Sequence, residues 1–348
     1  MQCGRIGCGR MLGEEIAVRI KRMVAWALVV AVGLPVGFVA LNIALMVDGA
    51  ELSHWRSEES RMRFERVYAE TLALMPEPAE THDVETSFGV VRAYRFERPK
   101  ADAAYRARPP IVLLPGHSAP VPMWQGTVSD LYADRAVVAI DLLGQPGMSV
   151  PTRKVVDSAD QAQWLEETLA GMGLERVHLV GVSFGGWTAM NHATRYPARV
   201  ASVSLFDPVM VFSRIPGKAM VAAMLTEFPL VPDWYDDWFM SWTAGGVPVD
   251  ESVPEARIIG AGIKGYSVVQ PAPAPIPEAA LGELDVPVQA FIAGRSVMHV
   301  DPAAAAEVAR VRLRRGVVVV KPEATHAIHG EHAKELNARV REFVSQRR

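Results

Sequence analysis

With 348 residues, half of them hydrophobic, and a formal net charge of −3, the chain has the composition of a folded protein with a substantial core, which excludes a disordered or low-complexity polymer. Its 36 basic residues are scattered among 39 acidic ones, so the basic face that a nucleic-acid partner requires is missing. The only cysteines, Cys3 and Cys8, precede every core segment, leaving no disulfide framework and no catalytic thiol to the rest of the chain.

In chain order, the first element is Met23–Val47 (MVAWALVVAVGLPVGFVALNIALMV), which carries no charge and only Asn42 as a strongly polar side chain. A helix of this length reaches about 37 Å, more than the ~30 Å of a hydrocarbon core, so a transmembrane anchor over 23–47 is expected. A removed signal peptide and a buried soluble helix are the alternatives. Arg10, Arg19, Lys21 and Arg22 precede the apolar stretch, whereas Arg56 and Arg61 beyond it are diluted by Glu51, Glu58 and Glu59. The positive-inside rule then predicts a single-pass protein with a short cytoplasmic segment 1–22 and an extracytoplasmic main domain. Residues 48–80, with Trp55, Met62, Tyr68 and Leu72 at roughly helical intervals, predict a juxtamembrane linker helix.

From Pro76 onward strands alternate with helices. Val84–Phe88 and Val90–Phe96 around Gly89 predict a hairpin. The valine-rich runs Ile111–Leu114, Ala136–Ile140, Val177–Val182, Val200–Phe206, Val286–Ala293 and Val317–Val320 each suit a strand buried on both faces. Ser158–Ala170, Trp187–Arg195, Ala303–Arg312 and His332–Val344 suit helices. The alternation predicts an α/β fold, a mostly parallel sheet covered by helices on both faces, with its core over 81–208 and 281–348. Between these, 209–280 lacks a valine-rich strand and collects Phe212, Phe228, Trp234, Tyr235, Trp238, Phe239, Trp242 and Tyr266. This predicts an inserted helical cap, with the PAPAPIP run Pro271–Pro277 as its stiff, extended return to the core.

The segment Val177–Trp187 (VHLVGVSFGGW) holds G-x-S-x-G between an apolar strand and a helix. A serine on a strained strand-to-helix turn needs Gly181 and Gly185, because the turn leaves no room for β-carbons. The helix that follows aims its first N–H groups at any oxyanion formed on Ser183. Three motifs in this order, Leu113–His117 (LLPGH), Asp141–Ser149 (DLLGQPGMS) and the serine turn, resemble the α/β-hydrolase superfamily over approximately residues 80–348. Within it, the chain looks most like the bacterial carboxylesterases with a helical cap. The resemblance implies a nucleophile at Ser183 and two oxyanion N–H donors, Phe184 and, in the loop after the earlier strand, His117. Pro115 stands where the family usually has histidine.

His326 is the first of three histidines after the last strand, where the family places its catalytic histidine, and is the expected general base. His329 and His332 are expected to face solvent or cap a helix. The three are not read as a zinc site, since no H-E-x-x-H pattern or further ligand accompanies them, and no cofactor is expected. Many relatives carry the triad acid in a G-x-x-D pattern, but Ala293–Val297 (AGRSV) has valine there. Asp207, directly after Val200–Phe206, occupies a position from which some α/β-hydrolases supply their acid and keeps the chain order Ser, Asp, His. Asp301 is the runner-up and reads equally as the N-cap of a helix opening at Pro302; a triad lacking its acid is the third possibility.

The expected function is that of a membrane-anchored serine hydrolase cleaving carboxylic esters through an acyl-enzyme on Ser183, with a small-molecule ester carrying an apolar moiety as substrate. A lipase or acyltransferase of the same fold and a non-catalytic hydrolase-like binding scaffold are the competing expectations. Serine at the turn argues against haloalkane dehalogenase and epoxide hydrolase chemistry, since those resembling groups use an aspartate there.

Overall fold

A computed structural model of the chain describes residues 34–47 and 51–347, together with Arg19, Lys21 and Met23. It comprises two compact units, the first holding the helix Leu34–Val47 with Phe228–Leu230, the second the rest of the chain from Ala50. Cys3, Cys8 and all of the expected segment 1–22 except Arg19 and Lys21 lie outside the described residues.

The expected membrane anchor over 23–47 is corrected by this structure. Among the described residues no helix is long and apolar enough to cross a membrane. Of the expected span, the structure describes Met23 and the helix Leu34–Val47, and residues 24–33 lie outside the described residues. The single-pass topology, with its cytoplasmic N-terminus, extracytoplasmic domain and membrane partner, therefore loses the element on which it rested.

In the second unit the strands are β1 (His54–Trp55), β2 (Glu80–Thr86), β3 (Gly89–Phe96), β4 (Ile111–Leu114), β5 (Val137–Ile140), β6 (Val150–Pro151), β7 (Val177–Val182), β8 (Val200–Phe206), β9 (Tyr266–Ser267), β10 (Val288–Ala293) and β11 (Gly316–Lys321). The main sheet runs β11-β10-β8-β7-β4-β5-β3-β2, with β6 also paired to β3. Pairing is parallel from β11 to β5 and antiparallel from β5 to β2. Successive side chains of the central strands serve opposite cores: Ile111 and Leu113 enter one, Val112 and Leu114 the other. That alternation with both faces apolar is why these strands read as unbroken hydrophobic runs. The hairpin β2–β3 closes with Thr86 opposite Gly89. Gly89 opens the second strand at φ +143°, and a β-carbon there would overlap the backbone of Val150 in β6.

Two sequence-based expectations need revision here. The run Val317–Val320 is not buried on both faces: β11 is the sheet edge, and Val317 is 42% exposed. The helix expected within residues 48–80 forms, but it is packed into the domain and does not merely link to it. The helix Glu58–Leu72, N-capped by Ser57, buries Phe64, Val67, Tyr68 and Thr71. Trp55 packs on Phe64 and Tyr266 at ring distances of 4.7 and 4.8 Å, and β1 pairs with β9. Of the residues whose spacing suggested the helix, Tyr68 is buried and Leu72 half-buried, whereas Met62 is exposed and Trp55 lies in β1; the buried face is that of Phe64, Val67, Tyr68 and Thr71. Phe64→Ala is accordingly expected to cost about 3–5 kcal/mol in a urea melt; a free linker would show no loss.

After β8 the chain makes a helical excursion, Gly217–Thr226, Asp233–Thr243 and Pro254–Gly265, before β9. Trp238 and Trp242 stack on one another at 5.6 Å, and Phe239 and Trp242 pack against the core. The proline-rich return carries no regular secondary structure over 271–277 and is tied to the helix Ser183–Arg195 by a hydrogen bond from Trp187 Nε1 to the Ala274 carbonyl, 2.8 Å.

Candidate active site

Ser183 sits where β7 turns into the helix Ser183–Arg195, with φ +52°, a conformation that costs a non-glycine residue energy. The neighbouring glycines make the turn possible. A β-carbon at Gly181 would run into the Gly185 carbonyl, and one at Gly185 into the carbonyls of Leu114 and Pro115 at the end of β4. The close approach brings the loop after β4 beside the serine, so that a β-carbon on Gly116 would lie 3.7 Å from Ser183 Cβ.

That loop is held by the second motif. Asp141, fully buried at the end of β5, accepts from Val121 N–H at 2.7 Å with Oδ1, and from Met148 N–H and Tyr68 O–H, each at 2.8 Å, with Oδ2. Gln145 Oε1 accepts from Ser118 N–H at 2.8 Å and supports the positive φ of +55° at Ser118. Burial pushes the Asp141 carboxyl up to about 6 even though the N–H donors of Met148 and Val121 and the Tyr68 hydroxyl oppose the shift. The His117 ring is engaged by residues other than the serine. Its Nε2 lies 3.0 Å from Glu227 Oε1, and it meets the Phe184 ring edge-on at 6.1 Å.

His326 follows β11. Its Nε2 is 2.8 Å from Ser183 Oγ and its Nδ1 is 2.6 Å from Asp207 Oδ2. The loop is fixed from two sides: His326 N–H donates to the Thr243 carbonyl at 3.2 Å, and Glu331 accepts from both Thr325 N–H and Thr325 Oγ1 at 2.9 and 2.6 Å. His329 does not face solvent as expected. It lies partly buried against Trp124, 6.4 Å between rings, where burial and then the charge of His326 push its imidazole down to about 4. His332 stands at the junction of the helices Ile328–Glu331 and Ala333–Ser345 and makes no side-chain cap.

Asp207 ends β8 with φ +45° and is wholly buried. Its Oδ1 accepts from Ala293 N–H at 2.9 Å and His299 Nε2 at 3.0 Å; its Oδ2 accepts from Ser296 Oγ and His326 Nδ1, both at 2.6 Å. Burial alone would raise this carboxyl. The hydrogen bonds and charges of His299 and His326 overcome it and hold the group well below the usual carboxylate range. Asp301 is elsewhere: it accepts from Ala303 N–H and Ala304 N–H at 2.8 and 3.2 Å and caps the helix Pro302–Arg312. Asp301→Ala is therefore expected to lower stability by about 1 kcal/mol in a denaturant titration.

Ser296 and His299 escape the sequence analysis. Ser296 lies within the stretch where valine replaces the usual acid, and His299 stands alone in the apolar run Val297–Val300 with no spacing rule pointing to it.

A parallel-centred sheet with a serine on a strand-to-helix turn and a histidine on the loop after the last strand defines an α/β hydrolase. The family model for the alpha/beta hydrolase family matches residues 111–339, and the chain belongs to this family. It is similar to the uncharacterized carboxylesterase nap of Bacillus subtilis, 29% identical over 44% of this chain and 49% of that one. It is also similar to the carboxylesterase YbfK of the same organism, 31% identical over 44% of this chain and 50% of that one. The match thus spans about half the length of these curated relatives. The solved structure of carboxylesterase CesB (YbfK) from Bacillus subtilis covers 81% of this chain and 97% of its own at a TM-score of 0.72 and 24% identity, a likeness of fold.

Proposed function

We propose that the protein is a serine hydrolase of carboxylic esters, with Ser183 as nucleophile, His326 as general base and Asp207 as the acid that orients the base. The observation that carries this reading is the unbroken line from Ser183 Oγ to His326 Nε2 at 2.8 Å and from His326 Nδ1 to Asp207 Oδ2 at 2.6 Å. Asp207 faces Nδ1, so the proton sits there and Nε2 is left free to accept. As Ser183 Oγ attacks the ester carbonyl, its proton passes to Nε2. The N–H groups of Phe184 and His117 hold the oxyanion, and the alcohol departs with the proton returned from Nε2. Water, deprotonated by the same nitrogen, then releases the acid and restores Ser183. The named carboxylesterases among the relatives support the choice of ester bond. The helical excursion 209–280 acts as a cap over this site, and its aromatic residues favour an ester with an apolar acyl or alcohol part. The complete Ser-His-Asp line argues against a non-catalytic scaffold.

The test is to treat the full-length protein with a fluorophosphonate probe and to measure turnover of p-nitrophenyl butyrate. The expected result is hydrolysis, with the probe attached to the peptide containing Ser183. A probe that leaves Ser183 unmodified overturns the reading.

A further inference from the structure

The buried acid of the site is served by a second histidine that the reaction itself does not use. All four lone-pair directions of the Asp207 carboxylate are occupied: Oδ1 by Ala293 N–H and His299 Nε2, Oδ2 by Ser296 Oγ and His326 Nδ1. These partners differ in stiffness. Ser296 Oγ is a rotor that shares Oδ2 with the base, and Ala293 N–H is fixed by β10. The His299 ring is clamped at both ends, with Nε2 at 3.0 Å from Asp207 Oδ1 and Nδ1 at 2.7 Å from Ser213 Oγ, and its side chain is inaccessible to solvent. A ring nitrogen facing an ionised carboxylate oxygen must carry a proton, so His299 donates from Nε2.

Resting on the reading that Ser183, His326 and Asp207 form the hydrolytic triad, we propose that His299 is a positioning residue. Its donation to Oδ1 stops the Asp207 carboxylate from turning about its Cβ–Cγ bond and keeps Oδ2 aimed at His326 Nδ1, while Ser213 fixes the ring of His299. The chain from nucleophile to outer anchor then runs Ser183, His326, Asp207, His299, Ser213, with the last residue at the half-buried edge of the helical excursion.

Turnover of p-nitrophenyl butyrate by the full chain tests this. His299→Leu is expected to lower kcat by about 10–100-fold with KM little changed, as losses of outer partners do elsewhere. His299→Gln, which returns an N–H donor near the same place, is expected to recover most of that loss. Should the leucine variant fail to fold, Ser213→Ala is expected to give a smaller loss of kcat in the same direction. On the wild-type protein, ¹⁵N-detected histidine spectra are expected to show a protonated Nε2 on His299. The proposal is overturned if the folded variants keep wild-type kcat, if glutamine is no better than leucine, or if Nε2 of His299 carries no proton. Failure of the triad reading looks different: the wild type would neither turn over the ester nor take the fluorophosphonate on Ser183, and the spectra alone would then judge His299.

Discussion

Ser183→Ala is expected to lower kcat for p-nitrophenyl butyrate by on the order of 10⁶-fold, the size of loss seen when one member of a concerted triad is removed. No other side chain can take the hydroxyl's place, because the turn that carries it is held by glycines whose β-carbons would collide with the backbone of β4 and of the helix itself. Stability should be unaffected. The described partner of Ser183 Oγ is His326, the residue before the helix is Val182, and the strained φ of +52° is relieved only by glycine. Labelling by fluorophosphonate should disappear while the melting curve stays in place. Adding His326→Ala to this variant should cost almost nothing more, since the two groups act as a unit. A singly substituted enzyme that retains a sizeable part of its turnover would identify a different nucleophile.

Asp207→Asn is expected to lower kcat by about 10⁴-fold with the fold retained. The carboxylate is an acceptor surrounded by four donors, and the asparagine amide offers only one oxygen to them. Whichever side its NH₂ takes, a donor confronts a donor. If it faces His326, the ring must move its proton to Nε2 and can no longer accept from Ser183. The same substitution carries a pH signature in stability. The Asp207 carboxyl lies well below the usual range in the folded state, so its ionised form stabilises the fold above the ordinary carboxyl value of ~4. That contribution is lost as pH falls from there toward the depressed folded value. The gap between wild-type and Asp207→Asn melting temperatures should therefore be full at neutral pH and shrink below about pH 4. A gap that is constant across this range would place the stabilising charge elsewhere.

The features legible in the chain are those whose physics is local. A turn too tight for β-carbons announces itself through Gly181 and Gly185 around Ser183, and strands buried on both faces announce themselves as valine-rich runs. The loop after β4 and the Asp141 motif are each short runs in the sequence, but the hydrogen bonds that join them, from Ser118 N–H to Gln145 and from Val121 N–H to Asp141, form only in the fold. Where the same local signal has two tertiary outcomes, the sequence does not choose between them. The helix Glu58–Leu72 has one buried face, and amphipathic spacing says that such a face exists without naming what covers it. The apolar stretch 23–47 has the composition of a membrane span, but among the described residues no helix is long and apolar enough to cross a membrane. β11 reads like a central strand and lies at the edge.

The sequence by itself determined the α/β class, the order of strands and helices along the chain, and the serine turn. The tertiary structure alone decided that Asp207 and not Asp301 meets His326, and that Ser296 and His299, 89 and 92 residues further along, share its carboxylate. The reason is one of range. Periodicity, capping and turn strain act over a few residues and leave a mark in neighbouring positions, whereas parallel strands joined by long crossovers bring side chains together only when the sheet is assembled, and their separation in sequence carries no trace of it.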